Sequence, residues 1–408
     1  VEKPISDVLK PNGIKIGPFG SQLKKEILLP DGQYRVYGQE NVYNHDFGLG
    51  DRYLSKEHFN RLNSCEIIPG DFVMSTMGTI GKCAIVPDSI QCGIMDSHLI
   101  RLRIDGKKIN PNYLLQLFSD QYHYLSDQTA RLAVGGIMDG LSVGIVSNLS
   151  VIYPENLDEQ NEIVSVLSDM DEAISNLQKL IRKKKDIRQG TMQMLVTGKK
   201  RLDGFSGDWV KINLAKNSRL KARIGWQGLT TAEYLDEGYS YLITGTDFKD
   251  GHINWSGCHY VDYDRYAQDP NIQVSNGDLL LTKDGTIGKV AYISDLDRPA
   301  TLNSGVFAVK PITNAYTAHF MFYVLESSVF KDFLQQLSAG STINHLYQKD
   351  LVKFDLYVPP TTEEQETITG ILFDMDLDIY KLEEKLSKYQ KIKQGMMEEL
   401  LTGKVRLV

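Results

Sequence analysis

The chain twice places a lysine directly after a glycine-bracketed turn, Gly78-Thr79-Ile80-Gly81-Lys82 and Gly285-Thr286-Ile287-Gly288-Lys289. Such a lysine can serve a nucleotide phosphate, because glycines let backbone N–H groups crowd around an anion. The full phosphate-binding loop has another glycine five residues before the second one and a Ser or Thr after the lysine. Here the upstream positions hold Thr76 and Lys283, and the following ones Cys83 and Val290. Nucleotide binding is therefore rejected. Both turns read as hairpins whose lysine is free to touch a phosphate.

No other catalytic chemistry stands out. There is no Asn/Asp-Pro-Pro-aromatic motif for amino-methyl transfer and no glycine-rich methyl-donor loop. His45, His58, His98, His123, His252, His259, His319 and His345 lack ligand spacing, as do Cys65, Cys83, Cys92 and Cys258. No metal is expected. No nucleophile elbow or paired-acid motif is present.

With 408 residues, 42% hydrophobic and 24% charged, the chain reads as an ordinary soluble protein of two or three domains. No apolar run approaches the roughly 20 residues that span a bilayer. The polar opening Val1-Glu2-Lys3-Pro4 does not read as a signal peptide, so reduced thiols and a cytoplasmic location are expected. A net charge of −7 counts against a simple basic nucleic-acid binder. Charge is segregated, however. Lys179, Arg182, Lys183, Lys184, Lys185, Arg188, Lys199, Lys200 and Arg201 stand against Asp186 alone, while Asp374, Asp376 and Asp378 cluster elsewhere. The basic run fits a solvated helix face and a DNA-facing surface equally well.

The chain is an internal duplication. Pro154–Leu202 aligns without a gap on Pro359–Leu407, with roughly two residues in five identical. Identities include Glu159-Gln160 with Glu364-Gln365, Asp169-Met170-Asp171 with Asp374-Met375-Asp376, and Thr197-Gly198-Lys199 with Thr402-Gly403-Lys404. The regions before these segments share little beyond Gly17 and Gly20 with Gly225 and Gly228, Gly70-Asp71 with Gly277-Asp278, and the lysine-bearing turns.

Within the similar segments, Ile163, Leu167, Met170, Ile174, Leu177 and Ile181 alternate spacings of four and three. Ile368, Leu372, Met375, Ile379, Leu382 and Leu386 do the same. That is a coiled-coil seam on helices of about 35–40 residues. Duplicated helices related by a twofold axis run antiparallel, which predicts a rod with a globular head at each end. Self-association into a dimer is the alternative use of the stripe. The heads read as mixed α/β. Short strands flank the glycine turns, helices run from Asn110-Pro111 to about Ser126 and over 317–338, and last strands cover 149–153 and 354–358.

The duplicated order, with Gly17-Pro18-Phe19-Gly20-Ser21, Pro69-Gly70-Asp71, Leu195-Val196-Thr197-Gly198-Lys199 and Gly204-Phe205-Ser206-Gly207-Asp208-Trp209, resembles the DNA-specificity subunits of type I restriction-modification systems. The resemblance covers nearly the whole chain. It implies α/β (α+β) target-recognition domains in two copies, separated by two long antiparallel coiled-coil helices with pseudo-twofold symmetry. The segments are then 1–153 (first head), 154–202 (first helical spacer), 203–358 (second head) and 359–408 (second spacer). It further implies that each head reads half of a split double-stranded DNA site. The helices would hold two methyltransferase subunits, through which restriction subunits join. The methyl donor, ATP and Mg would belong to those partners, leaving this chain without cofactor or catalytic residue.

Residues shared by both heads cannot tell two half-sites apart, so differing residues are the candidate base readers. The candidate DNA contacts are Phe19, Ser21, Gln22, Lys24, Arg35, Gln39, Asn41, Thr79 and Lys82 in the first head. In the second they are Arg223, Trp226, Gln227, Thr230, Thr246, Lys283, Thr286 and Lys289. A coiled-coil scaffold with two protein-binding heads is the competing reading, and salt-dependent binding to duplex DNA separates the two. Purified alone, the chain should neither methylate nor cut DNA. Transfer of labelled methyl groups to duplex DNA by the isolated chain would contradict this reading.

Overall fold

The structure, a computed structural model, describes residues 1–19, 21–132, 140–224, 228–338 and 345–407. Two long helices, Leu157–Val196 and Thr362–Leu400, realise the predicted stripes. At 1.5 Å per residue each is about 60 Å long. Acids occupy both first turns, Asp158 and Glu159 in one and Glu363 and Glu364 in the other, where the helix dipole favours them. Both helices end in the same way. Gly198 and Gly403 adopt φ of +68° and +72°, a region costly for residues with a Cβ. The chain reversal lets Lys200 N–H reach the Met194 carbonyl at 3.1 Å and Val405 N–H reach that of Glu399 at 3.2 Å, satisfying carbonyls the helix leaves open.

The chain divides into two compact units, Val1–Gln178 with Glu384–Val408, and Lys179–Glu383. Each contains one head and part of both long helices. In the first unit Ile163 and Leu167, early in one helix, share a core with Met397, Leu400 and Leu401 at the end of the other. In the second unit Ile368 and Leu372 share a core with Met192, Leu195 and Val196. Start thus packs on end in both units, which is an antiparallel pairing. The seam is not uniform. Ile163, Leu167, Ile174, Ile181, Ile368, Leu372 and Ile379 are buried, whereas Met170, Leu177, Met375, Leu382 and Leu386 are half-buried. Its outer members sit in the head cores rather than in a purely two-helix interface.

Among the described residues each head has two four-stranded sheets. In the first head Leu9–Ile16, Leu99–Ile104, Phe72–Ser75 and Cys83–Ile85 lie side by side in that order. The second head repeats the order with Ser218–Lys221, Val306–Pro311, Leu279–Thr282 and Val290–Tyr292. The other sheet runs Tyr53–Leu54, Tyr34–Tyr37, Gly93–Met95, Glu66–Ile67. Its counterpart runs His259–Val261, Ser240–Ile243, Ala300–Leu302, Gln273–Val274, and both central pairs are parallel. The duplication therefore extends through regions whose sequences have diverged. The burial of the central strands has survived while individual residues have not.

The turns at Pro69-Gly70 and Asn276-Gly277 are each followed by a strand and pass the chain from one sheet to the other. One expectation needs correction. The helix expected from Asn110 to about Ser126 stops at Leu117, and a second one covers Tyr124–Leu132. Between them His123 takes φ +58°, and Ser and Asp in this stretch favour turns over helix interiors. The counterpart splits at Ser327, whose hydroxyl donates to the Val324 carbonyl at 2.6 Å.

Glu-Gln opens both long helices for one reason. Gln160 Oε1 accepts from the backbone N–H of Asn110 at 2.7 Å, and its amide donates to the carbonyls of Lys108 and Pro154. Gln365 accepts from Thr317 N–H at 2.8 Å and donates to the carbonyls of Ala315 and Pro359. Glu364 is bridged by Arg201 at 2.8 Å, and Glu159 by Arg406, whose hydrogen bonds hold the Glu159 carboxyl below its usual range. Leu167 and Leu372 are fully buried, whereas Leu180 is 41% exposed. Leu167→Ala and Leu372→Ala should each cost about 3 kcal/mol and lower the melting temperature, while Leu180→Ala should cost under about 0.5 kcal/mol. Thermal melts of the three variants check this.

Candidate nucleic-acid interface

The glycine-bracketed turns are one structure built twice. Ser75 ends a strand, and its Oγ donates to the Thr79 carbonyl at 2.6 Å and accepts from Lys82 N–H at 3.0 Å. Thr282 makes the same two bonds, to the Thr286 carbonyl at 2.6 Å and from Lys289 N–H at 2.9 Å. Gly81 and Gly288 have φ of +83° and +88°, and their N–H groups close the loop on the carbonyls of Ser75 and Thr282. Farther down the hairpin, Asp71 accepts from Ile68 N–H at 2.9 Å and pairs with Arg103 at 3.1 Å. Asp278 accepts from Ser275 N–H at 2.8 Å and pairs with Lys310 at 2.8 Å. The shared strings thus maintain loop geometry. Thr79 and Thr286 are exposed at the tips, with Lys82 and Lys289 half-buried beside them.

The other first-head candidates divide by burial. Phe19 is 73% exposed, and Ser21, Gln22 and Lys24 are exposed with it, so the opening loop presents a surface. Arg35 instead braces a loop. Its guanidinium donates to the Gly48 and Gly50 carbonyls and lies 5.4 Å from the Tyr53 ring centre. The Gln39 amide donates to the Met77 carbonyl, and Tyr43 Oη to that of Thr79 at 3.1 Å, tying this segment to the glycine turn. Asn41 is fully buried, accepting from Gly38 N–H and donating to the carbonyls of Asp46 and Leu49. It holds the fold and reaches no base.

In the second head, Thr230 and Thr246 are exposed, while Trp226 and Gln227 lie outside the described residues. Thr230 caps a turn through Glu233, whose carboxyl is pushed down to about 2 by the Thr230 N–H and hydroxyl and by Arg265. Arg223 is 2% exposed, with Nε donating to the Leu302 carbonyl at 3.0 Å, and burial pulls its pKa below the ordinary arginine value. Lys283 is 9% exposed, with Nζ 3.1 Å from Asp284 and 3.3 Å from His345. Arg223 and Lys283, like Asn41, leave the set of base readers because their polar atoms point inward.

Part of the basic run is spent within the molecule. Lys184 pairs with Asp378 at 3.3 Å, Lys185 with Glu383 at 2.7 Å, and Arg188 with Asp376 at 2.8 Å and Glu326 at 2.7 Å. Hydrogen bonding to Glu383 raises the Lys185 pKa. Lys249 and Lys331 were not singled out by sequence, yet they line one cleft with Lys289. No spacing rule connects positions on a hairpin, a turn and a helix. Among the described residues, no group of three or more His, Cys, Asp or Glu is placed to hold a metal, and no helix is long and apolar enough to cross a membrane.

Residues 15–185 and 226–394 each match the type I restriction modification DNA specificity domain. The type I restriction enzyme MjaVIII specificity subunit of Methanocaldococcus jannaschii is 25% identical over 330 residues, covering 77% of this chain and 75% of that protein. The putative MjaX specificity subunit of the same organism is 26% identical over 355 residues, covering 84% and 80%. Among solved structures, the type I system S subunit of M. genitalium superposes with a TM-score of 0.60 at 17% identity, covering 98% of this chain and 95% of that one. A chain from a study of complex assembly and conformational transition of the type I system gives 0.57 at 16% identity, covering 99% and 98%. Two matched copies spanning most of the sequence, on a duplicated fold, decide the matter: the chain belongs to the type I restriction modification DNA specificity family, as a recognition rather than a catalytic subunit.

Proposed function

We propose that each head reads one half of a bipartite double-stranded DNA site and that the long helices carry two methyltransferase subunits, through which restriction subunits join. The methyl donor, ATP and Mg then belong to those partners, and the complex works in the cytoplasm. The observation that carries this reading is the contrast between the two heads. Their sheets, glycine turns and hairpin anchors repeat, while the exposed residues around them do not. The repeated parts suit phosphate contact and loop support, and the differing parts suit base readout. The readers favoured on exposure are Phe19, Ser21, Gln22 and Lys24 in the first head and Thr230 and Thr246 in the second, with Thr79, Lys82, Thr286 and Lys289 nearer the backbone.

The junction between head and helix supports modularity. Gln160 and Gln365 bind only backbone groups of the head, so they tolerate changes in head sequence. Replacing residues 1–150 with the head of another family member, with Gln160 and its backbone partners retained, should change one half of the methylated site and leave the other intact. Methylation mapping in cells carrying the chimera reads this out. A change in both halves, or in neither, would contradict the assignment of one half-site per head.

A further inference from the structure

The second unit contains a cleft of about 440 Å³ on which three lysines converge from three separate elements. Lys289 comes from the glycine turn and Lys331 from the helix Ser328–Ser338. Lys249 comes from the hairpin of Phe248–Lys249 with His252–Ile253. None of the three ammonium groups has a carboxylate partner among the described residues. The cleft also holds Arg188, Glu326 and Asp250, but Glu326 is occupied by Arg188 at 2.7 Å. With Arg188 and Glu326 spent on each other and on Asp376, three lysines stand against Asp250 alone in the lining, in a chain whose net charge is −7. A concave site with such an excess of positive charge draws in an anion.

The duplication supplies an internal comparison. The corresponding cleft of the first unit, about 350 Å³, is lined by Lys82 and Lys393. There Lys82 is paired with Asp120 and Lys393 with Asp171 at 2.6 Å, so neither cation is spare. At the place of Asp120 the second head has Ser327, whose hydroxyl is turned to its own helix. The glycine turn lacks the elements of a nucleotide cradle, and lysine ammonium groups are point charges suited to a phosphate without base selectivity.

We infer that the Lys249–Lys289–Lys331 cleft seats a backbone phosphodiester of the duplex, so that the second head holds the DNA backbone more strongly than the first. This rests on the DNA-reading function proposed above. The test is a salt series of duplex-binding titrations on the full chain, followed by fluorescence anisotropy. K249A/K289A/K331A should make the fall of log affinity with log salt shallower by about 1 to 2, and should weaken specific and unrelated duplexes alike. Asp120→Asn, which frees Lys82, should make it steeper by about 1. An unchanged slope in the triple variant, at an unchanged melting temperature, overturns the inference while leaving DNA reading intact. A parent chain without salt-dependent duplex binding overturns both. Saturable binding of inorganic phosphate that the triple variant loses, with no change in its duplex slope, would assign the cleft to free phosphate and overturn the inference as well.

Discussion

The pairing of Asp171 with Lys393, and of Asp376 with Arg188, is the interaction on which the rest of the fold depends. The two pairs are copies of one another, since Arg188 and Lys393 occupy the same place in the duplicated segments, as do Asp171 and Asp376. Each joins the middle of one long helix to the other, and each enlists the adjacent head. Asp171 also accepts from Gln116 at 2.9 Å, and Asp376 from the Tyr323 hydroxyl at 2.9 Å. Lys393 is only 3% exposed, so its charge has no solvent to fall back on. Removing Asp171 would leave that charge with Gln121 as its remaining partner, at a cost of about 1–3 kcal/mol. An apolar stripe can slide by a heptad at modest cost, whereas these pairs admit one register.

Much of this was legible in the sequence. The long helices announced themselves by spacings of four and three, with acids at their starts and Gly198 and Gly403 at their ends. Their antiparallel pairing followed from the symmetry of duplication. The glycine turns and their flanking strands were equally plain. The burial of Arg223 and Lys283 was not, because an arginine or lysine at a strand end looks the same whether it faces water or a neighbouring carbonyl. The breaks at His123 and Ser327 were missed because apolar residues resume directly after Ser119-Asp120-Gln121 and after Glu326-Ser327-Ser328. The partners of Arg188 were hidden by a separation of 188 residues in sequence from Asp376. Once the duplicates are laid antiparallel, however, the opposite charges at these positions face each other.

Charge shows the same logic. The basic run beginning at Lys179 suggested either solvent or DNA, yet Lys184, Lys185 and Arg188 meet the acids of the second long helix. Cationic surface for DNA is then a local property of the heads, concentrated at turns and clefts. The helices spend their charge on register.

The central claim is that this chain determines which DNA site is modified. The most direct measurement is genome-wide adenine methylation in the host with the gene intact, deleted and restored. The account predicts that one bipartite methylated motif disappears on deletion and returns on restoration, with all other methylated motifs unchanged. Retention of every motif after deletion would contradict it.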